Sequence, residues 1–279
     1  MSAGLWELAR AKVNLTLHVG ARQDDGYHPL DSLVVFADIG DELEFKPTEK
    51  KTSLTIKGLE ELNVDAQNSV LRAMTFVSAP PHQLQLTKNL PVSSGIGGGS
   101  ADAAAVLRKF PASFSHDEYA FGLGADVPIC LHSKTCRMTG IGEDISFLPN
   151  LGQLSAVLVN PRVAVSTREI FEQFDAVLRA LEPRPNAETG DLLSRALSGD
   201  NDLQDVAISK APAIADVLRA LAQQSGCELA RMSGSGATCF GIFRSDAQAK
   251  AAAELILTAQ PTWWVAPCRL GDLPEDLPS

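Results

Sequence analysis

A two-domain fold mixing strands and helices is predicted for this chain of 279 residues. Three observations carry the prediction. The length exceeds the roughly 150 residues that one domain commonly takes. The first half reads as strands with helices interposed, whereas the second half reads as helices with a few strands. Between residues 91 and 105 a glycine-rich loop runs straight into alanine-rich helical sequence. The change of pattern places the boundary near Asn150, giving an N-terminal part of residues 1–150 and a C-terminal part of residues 151–279. No internal repeat or low-complexity tract stands out in either.

The elements follow from periodicity. From residue 8 to 19, Ala9, Ala11, Val13, Leu15, Leu17 and Val19 alternate with Leu8, Arg10, Lys12, Asn14, Thr16 and His18. This is the period of a strand with one buried face. Further strands are expected at 33–39, 42–46, 54–57 and 83–87, and helices at 68–77 and 101–109. The second helix should stop before Pro111, because proline and the residue ahead of it disfavour continuation. Beyond Asn150 the pattern predicts a strand at 154–159 and a helix at 167–181. A proline-containing surface loop follows at 182–186. Helices are expected at 202–208 and 213–224, a strand–loop–strand at 229–243, and a last helix at 247–259.

Composition narrows the function. Hydrophobic residues make up 45% of the chain, enough for a core and too many for a disordered protein. Lys and Arg number 24 against 34 Asp and Glu, a net charge of −10. That balance gives no footprint for nucleic acid, although a local basic pocket for a small anion is compatible with it. The five cysteines are scattered, odd in number and without a CxxC pair. They suggest neither a disulfide framework nor a zinc site, and reduced thiols in a cytoplasmic protein are expected. The opening MSAGLWELARAKVN lacks the apolar core of a signal peptide. No apolar run approaches the roughly 20 residues of a membrane span, so no membrane partner is expected.

The segment PVSSGIGGGSADAAA, Pro91 to Ala105, carries the most information. Glycines let a backbone pass close to a ligand, and a helix starting behind them points free N–H groups and its positive end at an anion. The segment is not a Walker A loop, because no lysine follows Gly99 and Ser100. It is not the dinucleotide fingerprint either: Ser100 stands where the third glycine belongs. The strand expected ahead of it alternates polar and apolar, unlike a buried parallel strand. A flexible linker would not end in helix-forming Ser-Ala-Asp-Ala-Ala-Ala.

With these residues in view, Pro-x-x-x-Gly-Ile-Gly-Gly-Gly-Ser-Ala-Asp-Ala-Ala resembles the second motif of the GHMP kinases, a family of small-molecule kinases. Three further segments are similar to the family in the same order: residues 11–43 (AKVNLTLHVGARQDDGYHPLDSLVVFADIGDEL), GADVPICL at 124–131 and MSGSGATCFGIF at 232–243. Together they span most of the chain. The resemblance implies an α+β fold, with an N-terminal domain like ribosomal protein S5, a ferredoxin-like C-terminal domain and the active site in the cleft between them. The form GGGSADAA resembles most those members that use ATP to phosphorylate the 2-hydroxyl of 4-diphosphocytidyl-2-C-methyl-D-erythritol, in the non-mevalonate route to isoprenoid precursors.

The resemblance also implies roles for residues. ATP contacts would run along Pro91, Val92, Ser93, Ser94, Gly95, Ile96, Gly97, Gly98, Gly99, Ser100 and Ala101, with Asn68 near the adenine. Ser100 would bond a phosphate oxygen or help place Mg²⁺; as a plain structural residue it would cap the following helix, and the two roles are compatible. Asp126 would be the catalytic base and Lys12 its cationic partner, favouring the ionised carboxylate and stabilising charge on the alcohol oxygen. Read without the family, Asp126 would be a turn or cap residue and Lys12 a solvated strand lysine. Asn14, Tyr27, His28, Thr167 and Phe171 would bind the acceptor. There Tyr27 would stack on the cytosine and His28 would hydrogen-bond its edge. Ser233-Gly234-Ser235-Gly236 should form a tight turn beside the phosphates; a simple hairpin turn is the alternative.

Two features depart from the family. Ser93 and Ser94 replace glycines common there, and the segment from Lys109 to Gly122 is short. Other readings are a GHMP kinase for homoserine, mevalonate or a sugar, and a non-catalytic nucleotide- or RNA-binding protein. The Gly-Tyr-His segment argues against the first, and the acidic charge with the retained Lys12 and Asp126 against the second. A monomer or weak homodimer is expected.

Overall fold

The computed structural model describes residues 5–24, 26–58, 64–65, 67–92, 94–110, 120–177 and 188–272. Ser93, residues 111–119 of the short segment, residues 178–181 of the helix expected at 167–181 and the loop at 182–186 therefore lie outside the described residues. Within them the fold is α+β. Strand β3 (Leu30–Pro47) is its spine, pairing with β1 (Leu5–Asn14), β2 (His18–Val19), β5 (His82–Lys88) and β6 (Cys136–Gly140). Strand β4 (Ser53–Gly58) runs parallel to β5, and β7 (Asp144–Phe147) hangs antiparallel on β6.

After Asn150, β8 (Gln153–Asn160) lies between β10 (Cys239–Phe243) and β11 (Trp264–Gly271), and β9 (Cys227–Met232) flanks β10. The sheet continues across this point, because Leu270 of β11 pairs with Ala37 of β3. The helices are α1 (Ser69–Phe76), α2 (Gly98–Lys109), α3 (Val127–His132), α4 (Thr167–Val177), α5 (Leu192–Ser198), α6 (Gln204–Lys210), α7 (Ala213–Ala222) and α8 (Asp246–Ala259).

Three hydrophobic clusters fill the described residues, and β1 with β2 threads all of them. Ala9 joins Phe36, Phe45 and Leu86 beneath α1, α2 and α3. Ala11, Val13 and Leu15 meet Ile96, Leu158 and Phe240, a core drawn from both halves of the chain. Leu17 and Val19 pack with Phe174, Val217 and Ile256 under the second-half helices.

The expectation of one exposed face on this strand is wrong. Arg10, Lys12, Asn14, Thr16 and His18 are all buried, because the chain beyond Pro91 folds back over that face. The strand is also not continuous from 8 to 19: it breaks after Asn14 and resumes at His18. Residues 33–39 and 42–46, read as two strands, form one. They stay joined because Gly40 lets β1 pass against β3 where the register shifts between Arg10 and Lys12.

Helix α2 starts three residues earlier than expected. Gly97, left-handed at φ +69°, turns the chain directly into it, so Gly97 and not Ser100 occupies the cap position. Its end at Lys109, with Phe110 as the closing residue, is the one the proline predicts. The five cysteines are free.

A methyl group on Gly40 would stand 2.2 Å from the carbonyl oxygen of Ala9. Backbone on both sides leaves nothing flexible to yield. Gly40→Ala should lower stability by more than about 2 kcal/mol, read as a fall in the urea midpoint at constant m-value. A midpoint equal to that of the unaltered chain would mean that β1 and β3 separate freely here.

Candidate active site

The chemistry begins on β1. Its outer edge at Lys12 carries no further strand; instead the Lys12 N–H donates to the carbonyl of Ile96 in the glycine loop, at 2.9 Å. The loop is thereby laid across the strand. Gly97 crosses directly over the lysine: a Cβ there would be 3.3 Å from Lys12 Cβ and 3.8 Å from Asp126 Oδ2. Asp126 stands at the cap position of α3, yet its side chain caps nothing. Its Oδ2 lies 3.0 Å from Lys12 Nζ, the lysine being 7% exposed and the aspartate 31%. The turn reading of Asp126 is thus right for the backbone and wrong for the carboxylate.

Lys12 Nζ also donates to Asn14 Oδ1 at 3.0 Å. Asn14 Nδ2 donates to Ser32 Oγ at 2.7 Å, which in turn donates to the carbonyl of Thr16 at 2.6 Å. A row of satisfied polar groups therefore fixes the ammonium from one side and the carboxylate from the other, as buried polar groups require.

A cleft of about 760 Å³ opens over this pair. Lys12, Asn14 and Asp126 form its floor. Pro91, Val92, Ser94, Gly95, Gly97, Gly98, Gly99 and Ser100 form one wall, with Asn68 and Ser69 beyond them. Asn68 caps α1 by accepting the N–H of Val70 at 3.0 Å. Gly234, packed against Gly95, lines the cleft too, as do Ser235, Thr167 and Phe171. Thr167 Oγ1 and Ser235 Oγ are 2.8 Å apart.

The structure does not bring every expected residue to the wall. Ile96 and Ala101 turn their side chains into the cores, so only their backbone is at hand. Tyr27 is 58% exposed at the surface. His28 is buried behind Phe171, its ring 5.3 Å from the phenyl centroid. Its Nδ1 is 2.9 Å from the carbonyl of Gly20 and its Nε2 3.2 Å from Asp175 Oδ1. Both ring nitrogens are thus engaged within the protein, and no edge is left open for a base in this arrangement.

Sequence reasoning missed a buried charge cluster beside the loop, against Gly98. Lys88 pairs with both Asp41 and Asp102, the latter at 2.8 Å. Asp41 Oδ1 accepts the N–H groups of Asn89 and Leu90, at 2.7 and 2.9 Å. Lys88 and Asp102 both reach the cleft, and Asp102 Oδ1 has no hydrogen-bond partner among the described residues. The available signal was a single acid inside the alanine run 101–105, which had to be either surface or paired. Burial pushes the Asp102 carboxyl up to about 7; Lys88 pulls it back and Asp41 adds to the rise.

This raised value has a sign. Between the ordinary carboxylate range and pH 7 the folded chain holds a proton that the unfolded chain has lost. The contribution is full below about pH 4 and is lost as pH climbs to about 7. Asp102→Asn removes it. From pH 5 to 7 the unaltered chain should lose stability relative to Asp102→Asn by up to about 1.4 kcal/mol per pH unit, and the difference should level off above 7. Urea titrations across that range measure it; parallel curves would refute the assignment.

Comparison with known proteins accords with this geometry. The family model for the GHMP kinases N terminal domain matches residues 64–134, and that for the GHMP kinases C terminal region matches residues 177–256. The 4-diphosphocytidyl-2-C-methyl-D-erythritol kinase of Roseobacter denitrificans is 45% identical, over 96% of this chain and 94% of its own. The enzyme of the same name from Paracoccus denitrificans is 48% identical, over 93% and 94%. A crystal structure of 4-(cytidine 5'-diphospho)-2C-methyl-D-erythritol kinase superposes with a TM-score of 0.78 at 28% identity, covering 96% of this chain and all of that one. Homoserine kinase from Cytophaga hutchinsonii, at 16% identity and a TM-score of 0.64 over 97% and 96%, shares the fold. With family models for both halves, relatives this close over nearly its whole length and a nucleotide-style loop laid over a lysine–aspartate pair, the chain belongs to the GHMP kinase family.

Proposed function

We propose that the chain transfers the γ-phosphoryl group of ATP to the 2-hydroxyl of 4-diphosphocytidyl-2-C-methyl-D-erythritol, a step of the non-mevalonate route to isoprenoid precursors. The observation that carries the reading is the Lys12–Asp126 pair, 3.0 Å apart beneath the glycine loop, in a chain whose relatives of that name are 43–48% identical to it. Asp126 accepts the proton of the acceptor hydroxyl as its oxygen bonds to the γ-phosphorus. The bond to the β,γ-bridging oxygen breaks and ADP leaves. Lys12 stays charged and stabilises the alcohol oxygen as it loses its proton. A loose transition state asks mainly for alignment, and the loop–strand hydrogen bond supplies it.

The nucleotide would lie along the loop, its phosphates against the N–H groups at the start of α2. Lys12 and Lys88 are the lysines on the cleft wall among the described residues, and each is already paired with carboxylate. The triphosphate charge is therefore left to backbone dipoles and an accompanying cation. Among the described residues no cluster of three or more ligating side chains could hold a metal. Mg²⁺ would thus arrive on the phosphates, with the Ser100 hydroxyl facing it. Mg²⁺ prefers such a setting, keeping phosphate oxygens and waters as ligands. The reading includes a cytoplasmic enzyme acting on a small molecule, as monomer or weak homodimer. Among the described residues no helix is long and apolar enough to cross a membrane.

A coupled assay of ADP release with Mg·ATP and this alcohol tests the reading, and lack of turnover would refute it. Asp126→Ala and Lys12→Ala should each lower kcat by about 100-fold or more while ATP affinity changes little. An unchanged kcat in either variant removes that residue from the mechanism.

The second reading, a kinase for homoserine, mevalonate or a sugar, rests on shared fold. Phe171, an aromatic face on the cleft wall, favours an acceptor that carries a base. Cytidine nucleotides should then compete with the acceptor and leave the ATP dependence untouched. Equal inhibition by any nucleotide, relieved by ATP, would favour the second reading.

A further inference from the structure

The turn between β9 and β10 faces the cleft, but its shape is set from behind. Asn201, just ahead of α6, is 6% exposed. Its Nδ2 donates to the carbonyl of Met232 at 2.7 Å and to that of Gly234 at 2.8 Å, the two carbonyls on either side of Ser233. Its Oδ1 accepts the N–H of Leu203 at 3.0 Å. Gln204 adds a second hold, its Oε1 accepting the N–H of Met232 at 2.9 Å. The segment is itself anchored on the N-terminal strands: Leu17 N–H donates to Asp200 O at 2.7 Å, and Asp202 N–H to Leu17 O at 2.9 Å.

On its front the same turn grips the phosphate loop. Ser233 Oγ accepts the N–H of Asn14 at 3.0 Å and donates to the carbonyl of Gly95 at 3.3 Å. Thr238 N–H donates to the carbonyl of Ser94 at 3.2 Å. The approach is close enough that a Cβ on Gly95, which sits at φ +74°, would come within 2.6 Å of Gly236 O. One line of contacts therefore leads from Asn201 through Ser233 to Gly95, beside the strand that carries Lys12. A carboxamide offers two N–H groups from one nitrogen, which a carboxylate cannot do. An aliphatic side chain would leave two buried carbonyls unpaired.

We propose that Asn201 is a positioning residue for phosphoryl transfer: by holding the carbonyls of Met232 and Gly234 it fixes Ser233, and through Ser233 the height of the phosphate loop over Lys12 and Asp126. It touches no reacting atom. Its effect is on alignment, where an error of about 1 Å can cost roughly 100-fold in rate. The inference rests on the kinase reading above and adds to it a residue whose influence passes from the second half of the chain.

Three measurements test it. Asn201→Ala should lower kcat by about 30-fold and change ATP affinity, read by calorimetry, by less than about threefold. Ser233→Ala should act similarly, and the double variant should be no worse than the worse single one, because both cut the same line. Hydrogen–deuterium exchange of the Lys12 and Thr238 amides, which donate to Ile96 O and Ser94 O, should rise several-fold in Asn201→Ala, with β3 unchanged. If Asn201→Ala does not fold, Gln204→Ala, at a half-buried position, replaces it with a smaller effect in the same direction. Additive losses, exchange that rises equally throughout the fold, or an unchanged kcat would each overturn the proposal. Exchange needs no turnover. An unaltered chain without activity would therefore sink the kinase reading, while exchange would still decide on Asn201.

Discussion

The site depends on one backbone hydrogen bond, from Lys12 N–H to Ile96 O. A strand has two hydrogen-bonding edges. Here β3 occupies one edge of β1, and the phosphate loop takes the other at the residue that bears the ammonium. The distance between loop and lysine is thus fixed by backbone, not by the rotamers of a long flexible side chain. That matters because a lysine has much rotamer entropy to lose. Packing Gly97 over its stem removes most of that freedom before a ligand arrives. It also explains why a glycine must stand there: any side chain would press on Lys12 from above.

The charges follow the same economy. Both lysines on the cleft wall have carboxylate partners among the described residues, so neither is a bare buried cation, whose desolvation would be severe. The two pairings differ in exposure. Asp126 is about one-third exposed, as the proton transfer proposed for it would require. Asp41 and Asp102 are closed in around Lys88, and there the charge is structural: it pins the strand end at Lys88 to the second turn of α2, on either side of the loop. The cleft thus has one partly exposed acid–ammonium pair against Gly97 and one closed cluster against the next residue, Gly98.

Much of this was legible in the sequence. The alternation at 8–19, the glycine run and the proline after Lys109 gave the first strand, the loop and the end of α2, since each signal is local. What failed was non-local. The polar side of β1 looked solvated because alternation alone says nothing of what folds back over it. Residues 33–39 and 42–46 were read as two strands; the role of Gly40 between them, admitting the backbone of β1, appears only once the partner is known. The short α3, α5, β6 and β7 were missed because their few residues give too little periodicity to register, and the eight-residue β11 because its buried positions do not alternate. Asp126 was found through its motif, and Lys12 with it, whereas Lys88, Asp41 and Asp102 come from distant points of the chain and form a cluster only in space. Asn201 was invisible for the same reason: nothing in Gly-Asp-Asn-Asp-Leu says which carbonyls its amide will meet.

The acceptor end shows how geometry constrains a role that a motif only suggests. Nδ1 of His28 faces Gly20 O at 2.9 Å and Nε2 faces Asp175 Oδ1 at 3.2 Å, so each ring nitrogen has an oxygen beside it. A base can meet this imidazole edge-on only if Asp175 withdraws. Arg22, whose Nη1 is 3.5 Å from the other oxygen of Asp175, is the cation placed to receive it. Without that exchange, what remains for a base is face contact with Phe171, which stands between His28 and the cleft. The contact that closes off the His28 edge is thus made by Asp175, a carboxylate outside the Gly-Tyr-His segment that first drew attention to this histidine.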